Sequence, residues 1–293
     1  MSTAAATADA AKQPLVFYVT GASKGIGKVL VQKIIAQGDK VAATSRDKKQ
    51  LTDIFGQDSE QFLSLAVELA TEESVKQSIQ DTVKHFGTID VIINNAGYAA
   101  TGVIETIADR HIRDNFDINV FGVFNVLRYG VPILRNKKSG LIINISSVGG
   151  TIGFQGFGAY CATKFAVNGL TETLAAELKS SNVKVTSVEP GYFRTDFIGN
   201  AKENPEEAGA PIEEYKPIYD FIHHHNVGIH GKQRGDPSKL ADILVGLARH
   251  QGDLPTHLYV GADSNEYALA KLKQQVADLE KWQSITSKTD FDE

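Results

Sequence analysis

The chain has 293 residues, of which 42% are hydrophobic and 22% charged, and its formal net charge at pH 7 is −5. This composition is typical of a globular protein and gives no electrostatic reason to expect nucleic acid or an anionic membrane as a partner. No apolar run reaches the length of a membrane span, so we expect no membrane insertion. The single cysteine, Cys161, excludes an intramolecular disulfide and favours a reducing, cytoplasmic location.

The first thirteen residues, Met1–Gln13, are rich in Ala and Thr. They have neither the apolar core of a signal peptide nor the arginines of a mitochondrial presequence. We therefore predict a disordered tail over residues 1–13 and one domain over residues 14–293.

Beyond this tail, short β-branched segments alternate with longer segments of helical periodicity. This alternation is typical of an α/β domain whose doubly wound, Rossmann-type parallel sheet has helices on both faces. The predicted strands are Leu15–Thr20, Lys40–Ser45, Phe62–Glu68, Asp90–Asn94, Leu141–Ser146, Lys184–Val188 and His257–Val260. The predicted helices are Ile26–Gln37, Thr71–Phe86, Ala108–Arg135, Phe157–Lys179 and one that starts at Asp236-Pro237 and runs toward Arg249.

One long segment, Glu189–Gly235, departs from this regular alternation and is rich in Gly, Pro and Glu. It follows a strand directly, and ligands of parallel α/β sheets bind beyond the carboxyl ends of the strands. We predict that this segment is a substrate lid, since long loops in compact domains are usually functional or disordered. The alternative is an irregular surface loop.

A glycine-rich turn, Thr20-Gly21-Ala22-Ser23-Lys24-Gly25-Ile26-Gly27, joins the first predicted strand to the first predicted helix. Glycines there permit a tight turn and a close approach of the backbone to a ligand, while N–H groups at the helix N-terminus face a pyrophosphate. The turn therefore predicts a dinucleotide site. Its spacing, with three residues between Gly21 and Gly25, differs from the G-x-G-x-x-G form of many dinucleotide folds.

The end of the second predicted strand indicates which dinucleotide binds. An acidic residue at this place would bind the ribose 2′-hydroxyl of NAD and repel a 2′-phosphate. Here the chain has Ser45 followed by Arg46, and Lys24 adds a cation from the glycine turn. Arg and Lys both bind phosphate, so the pattern favours NADP(H) over the alternative that these are two solvated surface charges.

Tyr160 and Lys164 are four residues apart on a predicted helix, so their side chains lie on one face. A phenol with a pKa of about 10 is a poor base near neutral pH, and a neighbouring ammonium favours the phenolate. Such a pair by itself is usually ordinary helix surface. Its interpretation as an acid/base centre therefore depends on the other motifs.

Four further motifs occur in a fixed order: Asn94-Asn95-Ala96-Gly97, Asn119, Ser147 and Pro190-Gly191 with Thr195. Ser147 lies thirteen residues before Tyr160. Together with the glycine turn and the Tyr/Lys pair, these motifs resemble the short-chain dehydrogenase/reductase family over almost the whole chain apart from Met1–Gln13. The run from Pro190 to Thr195 and the tail with Trp282 are most similar to the hydroxysteroid-dehydrogenase-like members.

This resemblance implies four catalytic residues. Tyr160 would protonate the substrate carbonyl during reduction, and Ser147 would donate a hydrogen bond to the same oxygen. Lys164 would bind the nicotinamide ribose and lower the pKa of Tyr160. Asn119 would hold a water that links Lys164 to solvent, and no metal would be required.

The resemblance also implies a set of cofactor contacts. They are Gly21, Ser23, Lys24, Gly25, Ile26, Gly27, Arg46, Glu68, Leu69, Asn95, Ala96, Gly97, Tyr160, Lys164, Pro190, Gly191 and Thr195. Glu68 stands where relatives commonly have Asp, so its individual role departs from the family pattern. The family commonly forms homodimers or homotetramers through two long helices, here Ala108–Arg135 and Phe157–Lys179.

The resulting expectation is a cytoplasmic NADP(H)-dependent oxidoreductase that interconverts a small-molecule ketone or aldehyde and an alcohol. One alternative is a 3-oxoacyl-thioester reductase. Another is a regulatory protein that senses NADPH without turnover, although such a protein would not need the complete catalytic set.

Three other features have simpler interpretations. Consecutive histidines on a helix point about 100° apart, so His223-His224-His225 cannot bind one ion together, and we expect a solvated or substrate-lining cluster. Cys161 is interpreted as a packed thiol, because no histidine near it in the sequence would activate it. Glu266–Trp282 has apolar residues at helical spacing and predicts a packed amphipathic helix, with a subunit contact through Trp282 as the alternative.

Overall fold

A computed structural model describes residues 13–199 and 212–291. Residues 1–12, which make up nearly all of the predicted tail, and residues 200–211, in the middle of the predicted lid, lie outside the described residues.

The described chain contains a seven-stranded sheet in which all neighbouring strands are parallel, in the order β3-β2-β1-β4-β5-β6-β7. The strands are β1 Val16–Val19, β2 Lys40–Ser45, β3 Phe62–Ala66, β4 Val91–Asn94, β5 Gly140–Ile145, β6 Val183–Pro190 and β7 His257–Val260. The chain winds outward in one direction from β1 to β3 and in the other from β4 to β7. The predicted doubly wound Rossmann-type fold is therefore confirmed, and its switch point lies between β1 and β4.

Successive residues of each strand point to opposite faces of this sheet, and both faces are buried. Phe17, Ile93 and Ile143 belong to one hydrophobic core. Their sequence neighbours Tyr18, Ile92 and Ile142 belong to a second core on the other face. Strands with two buried faces must be apolar at nearly every position, which explains the almost continuous apolar runs of the sequence.

The described α-helices are α1 Gly25–Ala36, α2 Lys48–Phe55, α3 Glu72–Phe86, α4 Asp109–Phe116, α5 Gly122–Lys137, α6 Gly158–Leu178, α7 Lys216–His223, α8 Pro237–Leu247 and α9 Ala262–Thr286. Helices α2 and α7 are only eight residues long and were not predicted from the sequence. Helix α2 does carry a start signal, because the Asp47 side chain accepts the N–H of Lys49. Helix α8 begins as predicted, with the Asp236 side chain accepting the N–H of Ser238.

The predicted single helix Ala108–Arg135 is divided in the structure. A π-helical turn, Asp117–Phe121, separates α4 from α5. Such turns insert one extra residue into the helical hydrogen-bond pattern and often occur at functional sites. Asn119 lies in this turn and is buried, so the irregularity positions one of the predicted catalytic residues.

Helix α9 contradicts the prediction that Glu266–Trp282 packs within the chain. Ser264 and Ala268 are its buried residues, and every described residue from Leu272 onward is exposed. The helix follows β7, the last strand at one edge of the sheet, so its C-terminal half extends beyond the helices and strands that would cover it. Among the described residues, no helix combines the length and the apolar character that crossing a bilayer requires.

Candidate active site

A cavity of about 770 Å³ lies at the carboxyl edge of the sheet, beyond the ends of β1, β4, β5 and β6. Most of the predicted site residues line it: Gly21, Ser23, Lys24, Gly25, Ile26, Arg46, Glu68, Leu69, Asn95, Ala96, Gly97, Ser147, Tyr160, Lys164, Pro190, Gly191 and Thr195. The carboxyl ends of parallel strands share one edge, so motifs distant in sequence meet there. Gly27 and Asn119 are not part of the cavity wall.

The glycine turn forms one end of this cavity. Gly21 has φ +67° and Gly25 has φ +55°, in the left-handed region that favours glycine. A Cβ on Gly21 would also lie 2.8 Å from the Cα of Ala96. The backbone of the turn therefore borders the cavity with no side chain in between, which fits a pyrophosphate at the N-terminus of α1.

Gly27 acts behind this wall, by allowing close packing. A Cβ there would lie 2.4 Å from the Gly21 carbonyl oxygen and 2.5 Å from Asn95 Nδ2. Asn95 Nδ2 donates to the carbonyl oxygens of Thr20 and Gly21 at 2.9 and 3.1 Å, while the Thr20 hydroxyl accepts the N–H groups of Asn95 and Ala96, both at 3.0 Å. Asn95 thus lines the cavity, but its amide group fixes the glycine turn to the end of β4.

The two predicted phosphate-binding cations lie at the same end of the cavity. Lys24 is the N-cap of α1, and Arg46 follows β2. Both side chains are exposed, and neither forms an ion pair with another described residue. Ser45, beside them, provides a hydroxyl in place of a carboxylate, while the carboxylates of Asp47 and Glu68 also line the cavity.

The segment after β6 is fixed by a residue that the sequence reasoning missed. Asp263, in the first turn of α9, accepts the N–H of Tyr192 through Oδ2 at 2.8 Å. A Cβ on Gly191 would lie 2.2 Å from Asp263 Oδ1. Glycine at position 191 is thus required by the approach of a carboxylate 72 positions later in the chain. Thr195 lies across from the glycine turn. A Cβ on Gly25 would be 3.7 Å from the Cβ of Thr195.

Tyr160, Lys164 and Ser147 meet at the other end of the cavity. Tyr160 and Lys164 are both buried, on one face of α6, and Lys164 Nζ lies 5.7 Å from the centroid of the Tyr160 ring. Lys164 Nζ donates to the carbonyl oxygen of Ile145 at 2.8 Å. The Ser147 hydroxyl interacts with the Tyr160 phenol and accepts the N–H of Gly149 at 3.0 Å.

Burial shifts the pKa values of both members of this pair. Burial raises the pKa of Tyr160 above its ordinary value, and the hydrogen bond from Ser147 offsets only part of that rise. Burial also lowers the pKa of Lys164 to about 8. The cause is the same for both groups, since a site with little solvent disfavours the charged form of each. Lys164 is not among the groups that shift the pKa of Tyr160 in this site, so its predicted lowering of that pKa stays a prediction, and with the raised pKa Tyr160 is protonated near neutral pH.

Asn119 is buried next to the catalytic residues. Its Nδ2 atom donates to the backbone carbonyl oxygen of Tyr98 and to the Thr163 hydroxyl, both at 3.0 Å, and its Oδ1 accepts the N–H of Tyr98 at 3.1 Å. A Cβ on Gly97 would lie 3.0 Å from Asn119 Oδ1 and 3.6 Å from Lys164 Nζ. The side chain thus connects the π-helical turn to α6 and to the segment after β4, while the water relay implied by the resemblance stays a prediction.

Aromatic side chains surround the Tyr160 end of the cavity: Phe154, Phe157, Tyr192, Phe197 and His225. The Phe197 ring lies 5.7 Å from the Tyr160 ring, centroid to centroid. The Tyr192 hydroxyl is 2.6 Å from His225 Nε2. The sequence showed a histidine cluster but did not show which of its members faces the site.

The structure separates the three histidines. His223 and His224 are exposed, whereas His225 is 6% exposed and lines the cavity. Among the described residues, no three His, Cys, Asp or Glu side chains are grouped as metal ligands. Cys161 is 4% exposed, and burial raises the pKa of its thiol, which agrees with its interpretation as a packed side chain.

Comparison with known proteins identifies the family. The family model described as short chain dehydrogenase matches residues 15–206. Over 274 residues the chain is 34% identical to an oxidoreductase of Botryotinia fuckeliana named BOA17, covering 92% of this chain and 97% of that protein. The chain therefore belongs to the short-chain dehydrogenase/reductase family, as the sequence motifs predicted.

Solved structures agree with this assignment. A short-chain dehydrogenase from Streptomyces avermitilis superposes with a TM-score of 0.81 at 32% identity, covering 96% of this chain and all of that one. The protein ElxO with NADP bound superposes with a TM-score of 0.69 at 25% identity, covering 85% of this chain and 97% of that one. The chain is an oxidoreductase of a family that uses nicotinamide cofactors.

Proposed function

We propose that this protein is an NADP(H)-dependent oxidoreductase that interconverts a ketone or aldehyde and an alcohol, with Tyr160 as the proton donor in reduction. The observation that carries the proposal is the meeting of Tyr160, Ser147 and Lys164 in the cavity that the glycine turn closes at its other end. An acid/base group and a cradle for a dinucleotide thus share one cavity.

The proposed chemistry divides the reaction between cofactor and protein. The nicotinamide, when bound, supplies or accepts the hydride. Ser147 and Tyr160 orient the substrate carbonyl by hydrogen bonds to its oxygen. Tyr160 then gives its phenolic proton to that oxygen as negative charge develops on it. In the opposite direction the phenolate accepts the alcohol proton.

Lys164 has two proposed tasks. Its ammonium binds the cofactor ribose, and its positive charge stabilises the phenolate that Tyr160 becomes when it loses its proton. The second task matters because burial raises the pKa of Tyr160. The aromatic walls near Tyr160 exclude water and suit a small substrate with an apolar body.

NADP(H) is the proposed cofactor because Lys24 and Arg46 lie at the end of the cavity that the glycine turn forms, and because Ser45 stands where a carboxylate would repel a 2′-phosphate. Arg offers a planar set of donors that matches phosphate oxygens, and Lys adds a flexible point charge. Both side chains are exposed, so they reach an incoming cofactor without breaking buried contacts.

Substitution of Tyr160 by Phe tests the mechanism. Tyr160→Phe keeps the ring and its packing but removes the transferable proton, so kcat should fall by about 10²–10⁴-fold while NADPH affinity changes little. Lys164→Ala should reduce both kcat and NADPH affinity. NADPH consumption across ketones, aldehydes, quinones, steroids and acyl thioesters first identifies a substrate and separates simple carbonyls from 3-oxoacyl thioesters.

Tyr129→Phe is the matched control. Tyr129 lies on α5, where its hydroxyl donates to Glu72 at 2.5 Å, and it does not line the cavity. This variant should keep full activity. If Tyr160→Phe retained most of its activity, another group would be the proton donor. If no carbonyl were reduced while NADPH bound tightly, the protein would be a sensor of this cofactor instead of an enzyme.

A further inference from the structure

The Tyr192–His225 pair forms a polar group among the aromatic side chains near Tyr160. Tyr192 follows Pro190-Gly191 directly, and His225 belongs to a second π-helical turn, His224–Ile229. The pair comes from the two described parts of the predicted lid, and both side chains line the cavity. The hydrogen bond between them, at 2.6 Å, joins these two parts of the chain.

The hydrogen-bond partners of His225 fix its proton. Its Nδ1 atom is 3.0 Å from the carbonyl oxygen of Phe221, which only accepts, so Nδ1 carries a hydrogen. Burial, followed by the charge of His224, lowers the pKa of His225 below its ordinary value, so the ring is neutral at neutral pH. Its Nε2 atom therefore has no hydrogen and accepts the hydroxyl proton of Tyr192.

This arrangement makes Tyr192 a hydrogen-bond acceptor toward the cavity. The hydroxyl has one proton, which it gives to His225, and only its lone pairs remain for a ligand. Ser147 and Tyr160, by contrast, present donors to the substrate oxygen. The phenyl rings of Phe154, Phe157 and Phe197 also line the cavity and offer neither donors nor acceptors, whereas Asp196 next to Phe197 adds a carboxylate.

Neighbouring residues contact both members of the pair. Asp263 fixes the backbone N–H of Tyr192 at 2.8 Å. The His225 ring lies 4.2 Å from the Phe221 ring and 5.4 Å from the Phe157 ring, centroid to centroid. A buried acceptor discriminates between ligands, because a ligand that covers it without donating a hydrogen bond leaves it unpaired.

We propose that the Tyr192–His225 pair is a substrate subsite that accepts a hydrogen bond from a hydroxyl or N–H group, so that the substrate is a carbonyl compound with a second, donor-bearing position. The proposal rests on the proposed function for the orientation of the carbonyl toward Ser147 and Tyr160. At the other end of the substrate it assigns a hydrogen bond in which the substrate is the donor and the protein is the acceptor.

Matched aromatic ketones test this subsite. The probes are the ortho-, meta- and para-hydroxyacetophenones and their methoxy counterparts, titrated into the protein with saturating NADP⁺ by calorimetry. In the wild-type protein the best hydroxy isomer should bind about tenfold or more tightly than its methoxy counterpart, because only the hydroxyl donates. Tyr192→Phe should reduce this ratio to within about threefold, and the control Tyr129→Phe should leave it unchanged.

Turnover of the same probes separates the two proposals. A hydroxyl preference that Tyr192→Phe abolishes, without any NADPH oxidation in the wild-type protein, supports the subsite and contradicts the proposed function. Turnover with equal affinities for hydroxy and methoxy probes, or a preference that survives in Tyr192→Phe, overturns the subsite. Failure of all six probes to bind the wild-type protein overturns it as well.

Helix α9 supports a second inference from an independent observation. Leu269, Leu272, Val276 and Leu279, which we call the α9 stripe, are between 43% and 68% exposed. Their spacing of three, four and three residues places them on one face, as in a coiled coil. The helix segment beyond Leu272 has no buried residue. A short helix without packing is only marginally stable in water, so this face requires a partner.

Charges beside the α9 stripe indicate that the partner is a second copy of this helix. Lys273 and Glu280 are seven residues apart and border the same edge of the stripe. In an antiparallel pair of identical helices, this edge of one helix lies against the same edge of the other helix, which runs in the opposite direction. Lys273 of each copy then meets Glu280 of the other, when Val276 packs against Leu279. A parallel pair would instead bring this edge against Gln275 and Trp282, with no opposite charges to match.

We infer that α9 mediates self-association through an antiparallel pairing of this stripe. The test is the mass of the protein by sedimentation equilibrium. Val276→Glu places a charge in the centre of the stripe and should halve the number of copies per particle, while Lys281→Glu, on the opposite face, should leave it unchanged. Far-ultraviolet circular dichroism and NADPH binding verify that each variant is folded.

Charge exchange tests the antiparallel orientation. Lys273→Glu and Glu280→Lys alone should each weaken association, and the double variant should restore it, because both intermolecular pairs are then rebuilt with reversed sign. A monomeric wild-type protein, or an unchanged mass in Val276→Glu, overturns the inference. Failure of the double variant to restore association overturns the antiparallel pairing.

Discussion

Substitution of Gly191 by Ala should destabilise the protein, although the backbone there has no left-handed conformation. The added Cβ would lie 2.2 Å from Oδ1 and 2.4 Å from Cγ of Asp263. An ordinary contact needs at least about 3.4 Å, so the carboxylate must move by about 1 Å. That movement lengthens its hydrogen bonds to the N–H groups of Tyr192 and Ser264, now 2.8 and 2.9 Å.

Two costs add at this position. Insertion of a methyl group into a packed site costs about 1–3 kcal/mol. Loss of a hydrogen bond to a charged group costs about 1.5–3 kcal/mol. Because Asp263 begins a helix and its side chain can turn, we take the lower part of the sum, about 3 kcal/mol. This is more than a hundredfold in the unfolding equilibrium constant, since 1.4 kcal/mol is about tenfold.

The assay is urea unfolding of the wild-type protein, Gly191→Ala and the control Gly169→Ala. A Cβ on Gly169 would meet no atom within 4 Å, and this glycine lies inside α6. The control should therefore gain up to about 1 kcal/mol, because alanine favours the helix. Gly191→Ala should also weaken NADPH binding, since Gly191 lines the cavity. A free energy of unfolding within about 0.5 kcal/mol of the wild-type value would refute the steric reasoning.

Three further predictions follow from the site and its surroundings. Arg46→Ala should reduce the ratio of NADPH to NADH affinity by about tenfold or more. Arg128→Ala, remote from the cavity, should leave this ratio unchanged. Equal affinities of the wild-type protein for both cofactors would contradict NADP(H) as the cofactor. The described parts of the predicted lid should gain protection from hydrogen exchange when NADPH and substrate bind, and unchanged protection at saturation would speak against a lid. Burial acts to lower the pKa of His257, but its bonds to Glu189 and Glu172 raise it above 6.5. The stabilisation from His257 should therefore be complete below about pH 6.5 and be lost as the pH rises through the raised pKa. The difference in unfolding free energy between the wild-type protein and His257→Gln should shrink accordingly as the pH rises, and a constant difference would contradict this.

The sequence by itself determined the fold and the family. Strands buried on both faces must be apolar throughout, and helices between them must be apolar on one side, so the alternation is visible in the sequence. The glycine turn and the Tyr160–Lys164 pair were also readable, because each depends on local geometry. A turn needs φ > 0 at particular positions, and two residues four apart share a helix face.

Only the tertiary structure decided how the site is completed. Asp263 contacts Gly191 from a helix 72 positions later in the chain, and no local sequence pattern predicts that contact. His225 faces the cavity, whereas His223 and His224 do not, because the change from α7 to a π-helical turn sets which side is buried. The π-helical turn that divides the predicted helix at Asn119 was also not visible in the sequence, since the spacing of apolar residues does not reveal the hydrogen-bond pattern within a helix.

Protonation and exposure likewise depend on the whole fold. From the sequence, Lys164 was expected to lower the pKa of Tyr160, whereas burial, which the sequence did not reveal, raises the pKa of Tyr160 and lowers that of Lys164. The periodicity of α9 predicted an apolar face correctly but not what covers it. A periodic pattern reveals that a surface avoids water, whereas the neighbour that shields it is fixed by where the helix leaves the sheet.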